Sequence, residues 1–204
     1  MHWIRKIYDW MLHWAETPYG PIALFFLALA ESSFFPIPPD ALLIALALGL
    51  RTKSLQFALL CSVGSVIGAL IGYGIGHYLW WNAQSDFSGL ALFFFNHIPG
   101  FSEIIFNSIQ SKFEAYNFWI VFTAGFTPIP FKVFTISAGA FDVNIWMFLI
   151  ASTVSRSARF FLVGWLIWKY GDPIREFIEK YFNILAIIFT ILLIGGFILI
   201  KVFI

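Results

Sequence analysis

The stretch ESSFFPIPPD at residues 31–40 interrupts an apolar run that extends over residues 21–50. Proline lacks a backbone N–H and disfavours helical conformation at the residue before it, so this stretch breaks any helix that enters it. Its prolines are Pro36, Pro38 and Pro39. The unbroken pieces on either side have ten residues each, and a helix of that length reaches about 15 Å, half of a bilayer core. The pattern predicts a re-entrant hairpin of two half-length helices; the alternative is one proline-kinked span.

The composition indicates that lipid surrounds most of the chain. Hydrophobic residues make up 60% of its 204 residues and charged residues 11%, whereas a soluble domain carries about 25% charged residues. We therefore expect an all-α integral membrane protein built from transmembrane helices and re-entrant hairpins. The net charge of +1 argues against a nucleic-acid partner, because no basic face is available to neutralise phosphates.

A second break, TPIPFK at residues 127–132, interrupts the apolar region 118–141. A shift of 92 residues lays it over the first break. The shift superimposes Phe34, Pro36, Ile37, Pro38 and Asp40 on Phe126, Pro128, Ile129, Pro130 and Lys132. Broken apolar segments at corresponding places in two halves are typical of inverted-repeat transporters with a site near the middle of the membrane. We therefore predict two hairpins that enter from opposite faces and whose tips meet.

The rest of the chain divides into spans and interfacial segments. A spanning helix needs about 20 apolar residues, and three uninterrupted regions are that long: 55–81, 145–168 and 181–204. The predicted divisions are an interfacial amphipathic helix at 1–16, a transmembrane domain at 17–170 and a C-terminal transmembrane helix at 171–204. Within the domain, hairpins lie near 21–50 and 118–141, and an amphipathic connector lies near 85–117.

Two of these segments are predicted from their apolar faces. The N-terminal segment carries Trp3, Ile7, Trp10 and Trp14 on one helical face, and tryptophan prefers the headgroup layer. The alternative is that this segment is the water-exposed end of a longer helix. The apolar stripe of the connector is predicted to include Ile105, Ile109, Phe113 and Tyr116.

Ionisable residues at membrane depth are rare and mark functional sites by default. The strong candidates here are Glu31, Asp40, Lys132, Arg156 and Arg159. The two arginines share one helix face because they are three residues apart. One hypothesis is an anion site made by the three cations, with the two carboxylates as proton carriers or counter-ions. The alternative is mutual neutralisation, in which ion pairs only hold the hairpins in place.

Other motifs favour packing rather than chemistry. Gly64, Gly68, Gly72 and Gly76 recur at four-residue spacing and predict close approach of another helix. The four histidines are scattered and Cys61 is the single cysteine, so we expect no metal and no cofactor. A matched nucleophile and base is missing from the sequence, so we expect no enzymatic activity.

Three motifs are similar to those of the DedA family, also called the SNARE-associated Golgi or VTT-domain family. They are Glu31-x4-Pro36-x-Pro38-x-Asp40, Gly72-Tyr73-x-x-Gly76, and the stretch FTPIPFKVFTISAG at residues 126–139. The resemblance covers roughly residues 15–170, and the FTPIPFK segment indicates one branch of the family. It implies two re-entrant hairpins in a bacterial inner-membrane protein that moves lipids across the bilayer.

The resemblance also implies a substrate and roles for residues. The implied lipid is undecaprenyl phosphate, with coupling to protons or sodium ions, and the family's essential membrane acids correspond to Glu31 and Asp40. Many members have two arginines six residues apart around a proline of the second hairpin. Phe126 and Lys132 stand at that spacing here, so the missing cation would come from Arg156 or Arg159.

The leading hypothesis is therefore a flippase- or scramblase-type transporter of a lipid phosphate, either a polyprenyl phosphate or a phospholipid. The alternative is a proton-coupled transporter of a small soluble solute or ion, which would use the same charges. Competition by lipid phosphates but not by soluble solutes would exclude the alternative. Membrane orientation and oligomeric state, a homo-oligomer included, are left open by the sequence.

Overall fold

The computed structural model describes residues 17–34, 37–82, 84, 86–97, 102–127, 130–171 and 173. The amphipathic helix predicted for residues 1–16 lies outside the described residues, as does nearly all of the transmembrane helix predicted for 171–204. The described part is all-helical apart from one isolated bridge between Trp81 and Phe87. The helices are α1 (Gly20–Ser33), α2 (Asp40–Gly49), α3 (Ser54–Trp80), α4 (Gly89–His97), α5 (Glu103–Phe126), α6 (Phe131–Ala140) and α7 (Ile145–Tyr170).

Two helices are long and apolar enough to cross a membrane. One is α3 together with the preceding 3-10 turn, Arg51–Trp80, and the other is α7, Ile145–Tyr170. Both were predicted as spans from the sequence, and their helical conformation is confirmed. Three shorter apolar helices, α1, α2 and α6, have 10 to 14 residues and are too short to cross a bilayer alone.

The first proline break ends α1 and starts α2. Helix α1 ends at Ser33, and α2 begins at Asp40 after Pro39, which occupies its N-cap position. The second break lies between α5, which ends at Phe126, and α6, whose N-cap is Pro130. Both breaks therefore interrupt the helices where the prolines predict it.

Helix α1 packs on the first two glycines of the α3 stripe. A Cβ atom at Gly64 or Gly68 would overlap the carbonyl oxygen of Phe25 or Leu29. The close approach predicted from the glycine spacing is thus confirmed. Because the contacts follow the same order along both helices, α1 and α3 run in the same direction.

Helix α6 packs on the last two glycines of the same stripe. A Cβ at Gly72 would overlap the Thr135 hydroxyl, and one at Gly76 would overlap the carbonyl oxygen of Ile136. Helix α6 therefore also runs parallel to α3. The glycine stripe of α3 thus packs against one short helix from each half of the chain.

Helix α7 runs antiparallel to α3. Gly164, near its end, lies against Ser54 at the start of α3, whereas Arg156 contacts Ser65 in the middle. Helix α5 runs parallel to α7, because Gly125 lies against Ser155 while Phe113, earlier in α5, contacts Phe141 just before α7.

The directions of the short helices follow from these contacts. Helix α2 runs parallel to α7, since Asp40 at its start pairs with Arg159 and Arg51 just past its end bonds to Trp168. Helices α1 and α2 therefore run in opposite directions, and so do α5 and α6. The order helix, break, short helix, long helix occurs twice along the chain.

The connector differs from its prediction in the residues of its apolar stripe. Helix α5 continues through it to Phe126 with a kink at Tyr116, where φ is −115° and ψ is 16°. Phe106 and Phe113 are buried on its inner face, whereas Tyr116 is 63% exposed. Ile105 is 38% exposed as well, so the predicted apolar stripe is wrong at Ile105 and Tyr116. The kink changes the helix phase at Tyr116.

Candidate functional site

The most buried charged contact joins α1 to the middle of α7. Arg156 Nη2 donates to Glu31 Oε2 at 2.5 Å, and the two side chains are 2% and 11% exposed. A charge buried without a partner is strongly unfavourable, whereas a hydrogen-bonded opposite charge offsets much of the desolvation. The contact therefore fixes the end of α1 against α7.

Two serine hydroxyls complete the surroundings of this pair. Arg156 Nε donates to Ser65 Oγ at 2.6 Å, and Ser65 Oγ lies 2.6 Å from Ser32 Oγ. Ser32 Oγ in turn lies 3.2 Å from Glu31 Oε2. Because the Ser65 oxygen already accepts from the guanidinium, its own proton is free to point to Ser32, whose proton points to the carboxylate. The hydroxyls thus form a short donor chain that ends on Glu31.

The Arg156 guanidinium is also enclosed by aromatic rings. Its Cζ lies 5.0 Å from the ring centre of Phe131 and 4.7 Å from that of Phe160, distances at which a cation is attracted to an aromatic face. Phe131 belongs to one of the two apolar clusters of the structure and Phe160 to the other. The guanidinium therefore lies between the two apolar cores.

A second ion pair joins the start of α2 to α7. Arg159 Nε and Nη2 bind Asp40 Oδ1 and Oδ2 at 3.1 and 2.9 Å, a bidentate geometry. Arg159 Nη1 also donates to the carbonyl oxygen of Thr127, the first residue of the second break. One arginine thus contacts the flanks of both breaks.

A hydrogen bond from a hydroxyl group links the two halves of the chain directly, at the same level as the two ion pairs. Thr135 in α6 donates to the carbonyl oxygen of Ser32 in α1 at 2.9 Å. The carbonyl groups in the last turn of a helix have no partner within that helix. Thr135 satisfies one of them at the end of α1.

Lys132 differs from the two arginines. It lies in the first turn of α6 and is partly buried. Among the described residues its ammonium group has no ion-pair partner. The positive end of a helix dipole disfavours a cation at this position, whereas Asp40 in the first turn of α2 is favoured there.

The five predicted charges therefore separate into two ion pairs and one lysine. The pairs Glu31–Arg156 and Asp40–Arg159 are each neutral in sum, so the site retains one positive charge, at Lys132. Four of the five residues therefore come together as predicted, each acid with one arginine, and Lys132 is in neither pair.

The predicted hairpin prolines are only partly described. Pro38, Pro39 and Pro130 flank the starts of α2 and α6, whereas Pro36 and Pro128 lie outside the described residues. Ser152, on the arginine face of α7, is fully buried and its hydroxyl has no hydrogen-bond partner among the described residues.

The remaining titratable groups lie apart from the charged site. His77 Nδ1 lies 3.1 Å from Asp142 Oδ1 near the end of α3, without the orientation of a hydrogen bond. Cys61 is fully buried in an apolar cluster. In the part of the chain that the structure describes, no group of three or more His, Cys, Asp or Glu residues could hold a metal ion.

Sequence reasoning missed the roles of several uncharged residues. Ser32, Ser65 and Thr135 bind or support the charged site, but hydroxyls are common in membrane helices and carry no spacing signal. The aromatic partners of Arg156 were equally unpredictable, because the chain has 26 phenylalanines and nothing in their spacing singles out two of them.

Comparison with known protein families identifies one match. The VTT domain family profile matches residues 35–169, which include Asp40, Lys132, Arg156 and Arg159 but not Glu31. Two relatives, an uncharacterized protein of Haemophilus influenzae and one of Histophilus somni, are each 34% identical over 177 residues. The alignments cover 85% of this chain and 87% of each relative. No solved structure matches the chain.

Proposed function

This chain belongs to the VTT-domain (DedA) family, and from that premise we propose that it transports a lipid phosphate, undecaprenyl phosphate, across the bacterial inner membrane. The observation that carries the proposal is that the positive charge of Lys132 is not neutralised by a described carboxylate. Four of the five charges at the breaks neutralise one another, and Lys132 is left without an ion-pair partner among the described residues. An anionic headgroup would supply the missing partner.

We propose that the two broken segments are re-entrant hairpins of an inverted repeat. Support comes from the helix directions, because α1 and α2 are antiparallel, α5 and α6 are antiparallel, and α3 and α7 are antiparallel. Helix α2 leads into the start of α3, and α6 leads into the start of α7. The starts of two antiparallel spans face opposite sides of the membrane, so the hairpins would enter from opposite sides.

The headgroup is proposed to bind Lys132 and the N-terminus of α6. The first backbone N–H groups of a helix have no intrahelical partner, and no described side chain caps this N-terminus. Together with the helix dipole, those groups favour an anion. A phosphate beside Lys132 would remove the unfavourable contact between the ammonium group and the positive end of the helix.

A lipid is favoured over a soluble solute by the surroundings of this lysine. Val133, the next residue, is 46% exposed, and Phe126 before the break is 41% exposed. In a membrane, exposed apolar side chains on either side of this break face acyl chains. A lipid could therefore present its phosphate to Lys132 while its hydrocarbon chain stays in the bilayer.

Proton coupling is proposed to act through the two ion pairs. Protonation of Glu31 would neutralise its carboxylate and release Arg156, and the same applies to Asp40 and Arg159. A released guanidinium could then donate two hydrogen bonds to a phosphate. The carboxylates and the lipid would in this way compete for the same cations.

Transport of labelled undecaprenyl phosphate in proteoliposomes tests the proposal. Wild type should move the lipid faster than empty liposomes do, and an imposed proton gradient should change the rate. Lys132→Gln should reduce transport by roughly tenfold or more, the value of one charged hydrogen bond of about 1.5–3 kcal/mol. Lys112→Gln, outside the breaks, is the matched control and should leave transport unchanged.

Two outcomes would contradict the proposal. Transport that is equal in wild type, Lys132→Gln and empty liposomes, with folded protein verified, would exclude lipid phosphate as the substrate. Inhibition of a solute flux by soluble anions but not by lipid phosphates would favour the soluble-solute transporter instead.

A further inference from the structure

One end of the molecule carries a cluster of cations, here called the basic rim: Arg51, Lys53 and Lys169. Arg51 and Lys53 lie in the 3-10 turn before α3, and Lys169 lies in the last turn of α7. Because α3 and α7 are antiparallel, the start of one helix lies beside the end of the other. The fold thus brings together cations more than 100 residues apart in the sequence.

Contacts fix part of this rim. Arg51 Nη2 donates to the carbonyl oxygen of Trp168 at 3.2 Å, and its guanidinium covers Gly171, where a Cβ would overlap Arg51. Lys169 Nζ lies 4.9 Å from the ring centre of Trp165. No carboxylate among the described residues pairs with these three cations.

The opposite end of the molecule has the opposite charge. The described charged residues there lie in the loop after α3, in the first half of α5 and in the turn before α7: Asp86, Glu103, Lys112, Glu114 and Asp142. In the part of the chain that the structure describes, this end has a single lysine, against the three cations of the basic rim. Lysine and arginine near span ends are retained on the cytoplasmic side of a membrane, and acidic residues contribute little.

We infer that the basic rim lies at the cytoplasmic face and binds the headgroups of anionic phospholipids in that leaflet. This inference goes beyond the proposed function and does not depend on it. The exposed rings of Trp165, Trp168 and Tyr170, 40 to 50% accessible, lie in the same two turns as Lys169. Tryptophan and tyrosine concentrate at the headgroup layer, so lipid rather than a soluble acidic partner meets these cations.

Cysteine labelling in spheroplasts and in inverted inner-membrane vesicles tests the orientation. In a Cys61→Ala background, Thr52→Cys introduces an exposed thiol at the basic rim and Gln84→Cys one at the opposite end. A membrane-impermeant maleimide should label Gln84→Cys in spheroplasts and Thr52→Cys only in inverted inner-membrane vesicles. The reverse pattern, or labelling of both variants in both preparations, would overturn the inference.

Lipid binding is tested with the purified full chain. Titration with phosphatidylglycerol in detergent should raise the melting temperature of wild type, and phosphatidylcholine should not. Lys53→Gln with Lys169→Gln should weaken the apparent affinity for phosphatidylglycerol about 25-fold at low salt, roughly fivefold per lysine. Both lysines are exposed, so the double variant is expected to fold; Arg51 is kept because it binds Trp168.

Two single variants serve as controls for the source of the effect. Lys112→Gln at the opposite end and Lys132→Gln at the breaks should each keep the response to phosphatidylglycerol. An equal loss in Lys112→Gln would show a general charge effect, and a loss confined to Lys132→Gln would assign the lipid to the transport site. Either result, or an equal response to phosphatidylcholine, would overturn lipid binding at the basic rim.

Discussion

At the residue scale, the molecule is organised around Arg156. Its guanidinium binds Glu31 and Ser65 and lies between two phenylalanine rings, although it is almost fully buried. Breaking a buried ion pair leaves an uncompensated charge, whereas replacing both partners by apolar groups is often neutral. The pair therefore specifies how α1 meets α7 without having to contribute much net stability.

Neutralising Glu31 should destabilise the protein. Glu31→Gln should lower the free energy of unfolding by about 3–5 kcal/mol, because Arg156 stays buried without its counter-ion. Adding Arg156→Met should recover most of that loss. Asp40→Asn is the matched control and should have a smaller effect, since the Asp40 and Arg159 side chains are 21% and 16% exposed. Denaturant unfolding in detergent compares these variants with wild type and with Arg156→Met alone, and a double variant whose effect is the sum of the two single effects would contradict the account.

The charged residues themselves could be predicted from the sequence, but their pairing could not. An ionisable side chain inside an apolar run is conspicuous, so Glu31, Asp40, Arg156 and Arg159 were identified. Which acid meets which arginine depends on the register between α7 and the two breaks, and no local pattern encodes that register. For the same reason, the sequence could not predict that Lys132 lies outside the two ion pairs.

At the element scale, the glycine stripe of α3 determines how closely the short helices approach. Its glycines meet α1 on one half of the stripe and α6 on the other. The stripe and the proline breaks were predictable because glycine spacing and proline chemistry act locally. The kink of α5 at Tyr116 was not, because neither proline nor glycine marks that position.

Alanine substitutions along α3 should separate packing from helix propensity. Gly68→Ala should destabilise the protein by about 1–3 kcal/mol, because the new methyl group would overlap the carbonyl of Leu29. Gly74→Ala meets open space and should be neutral or stabilising by up to about 1 kcal/mol. Melting temperatures in detergent compare the two, and equal effects would contradict the close approach.

The proposed repeat also explains why Lys132 has no ion-pair partner among the described residues. The shift of 92 residues that superimposes Asp40 on Lys132 superimposes Ile67 on Arg159. Asp40 pairs with Arg159, so the corresponding partner of Lys132 would be residue 67, an isoleucine that is 39% exposed. The second half of the repeat thus keeps the cation and lacks the opposite charge.

A carboxylate introduced at residue 67 should form an ion pair with Lys132. Ile67→Glu is expected to weaken lipid-phosphate binding as much as Lys132→Gln does, because the new carboxylate pairs with the ammonium group of Lys132. It should also be less destabilising with Lys132 present than in the Lys132→Gln background, and a double-mutant cycle of melting temperatures measures this coupling. Ile67→Gln is the uncharged control, and absence of coupling would count against the repeat.

At the scale of the whole molecule, the two halves are interlocked. Helix α6 of the second half packs on α3 of the first, and α2 of the first half packs on α7 of the second. Each long helix therefore contacts a short helix from the other half, and both breaks lie at the shared level of Arg156. Neither half alone therefore contains all the helices on which its own helices pack.

Splitting the chain tests this interlock. Two fragments divided between residues 97 and 102, in the connector, should co-purify when expressed together and should be degraded when expressed singly. A division within α3 after Gly68 is the matched control and should fail to assemble, because it cuts the helix that both halves share. A stable first half on its own would contradict the interlocked fold.

The central claim is that Lys132 is the cation that receives a lipid phosphate, and direct binding tests it. Binding of radiolabelled undecaprenyl phosphate to purified protein should be weakened roughly tenfold or more by Lys132→Gln. It should stay unchanged in Lys112→Gln, with both variants as stable as wild type. Unlabelled lipid phosphate should compete, and inorganic phosphate should compete poorly. Equal affinity of Lys132→Gln and wild type for the lipid would contradict the account.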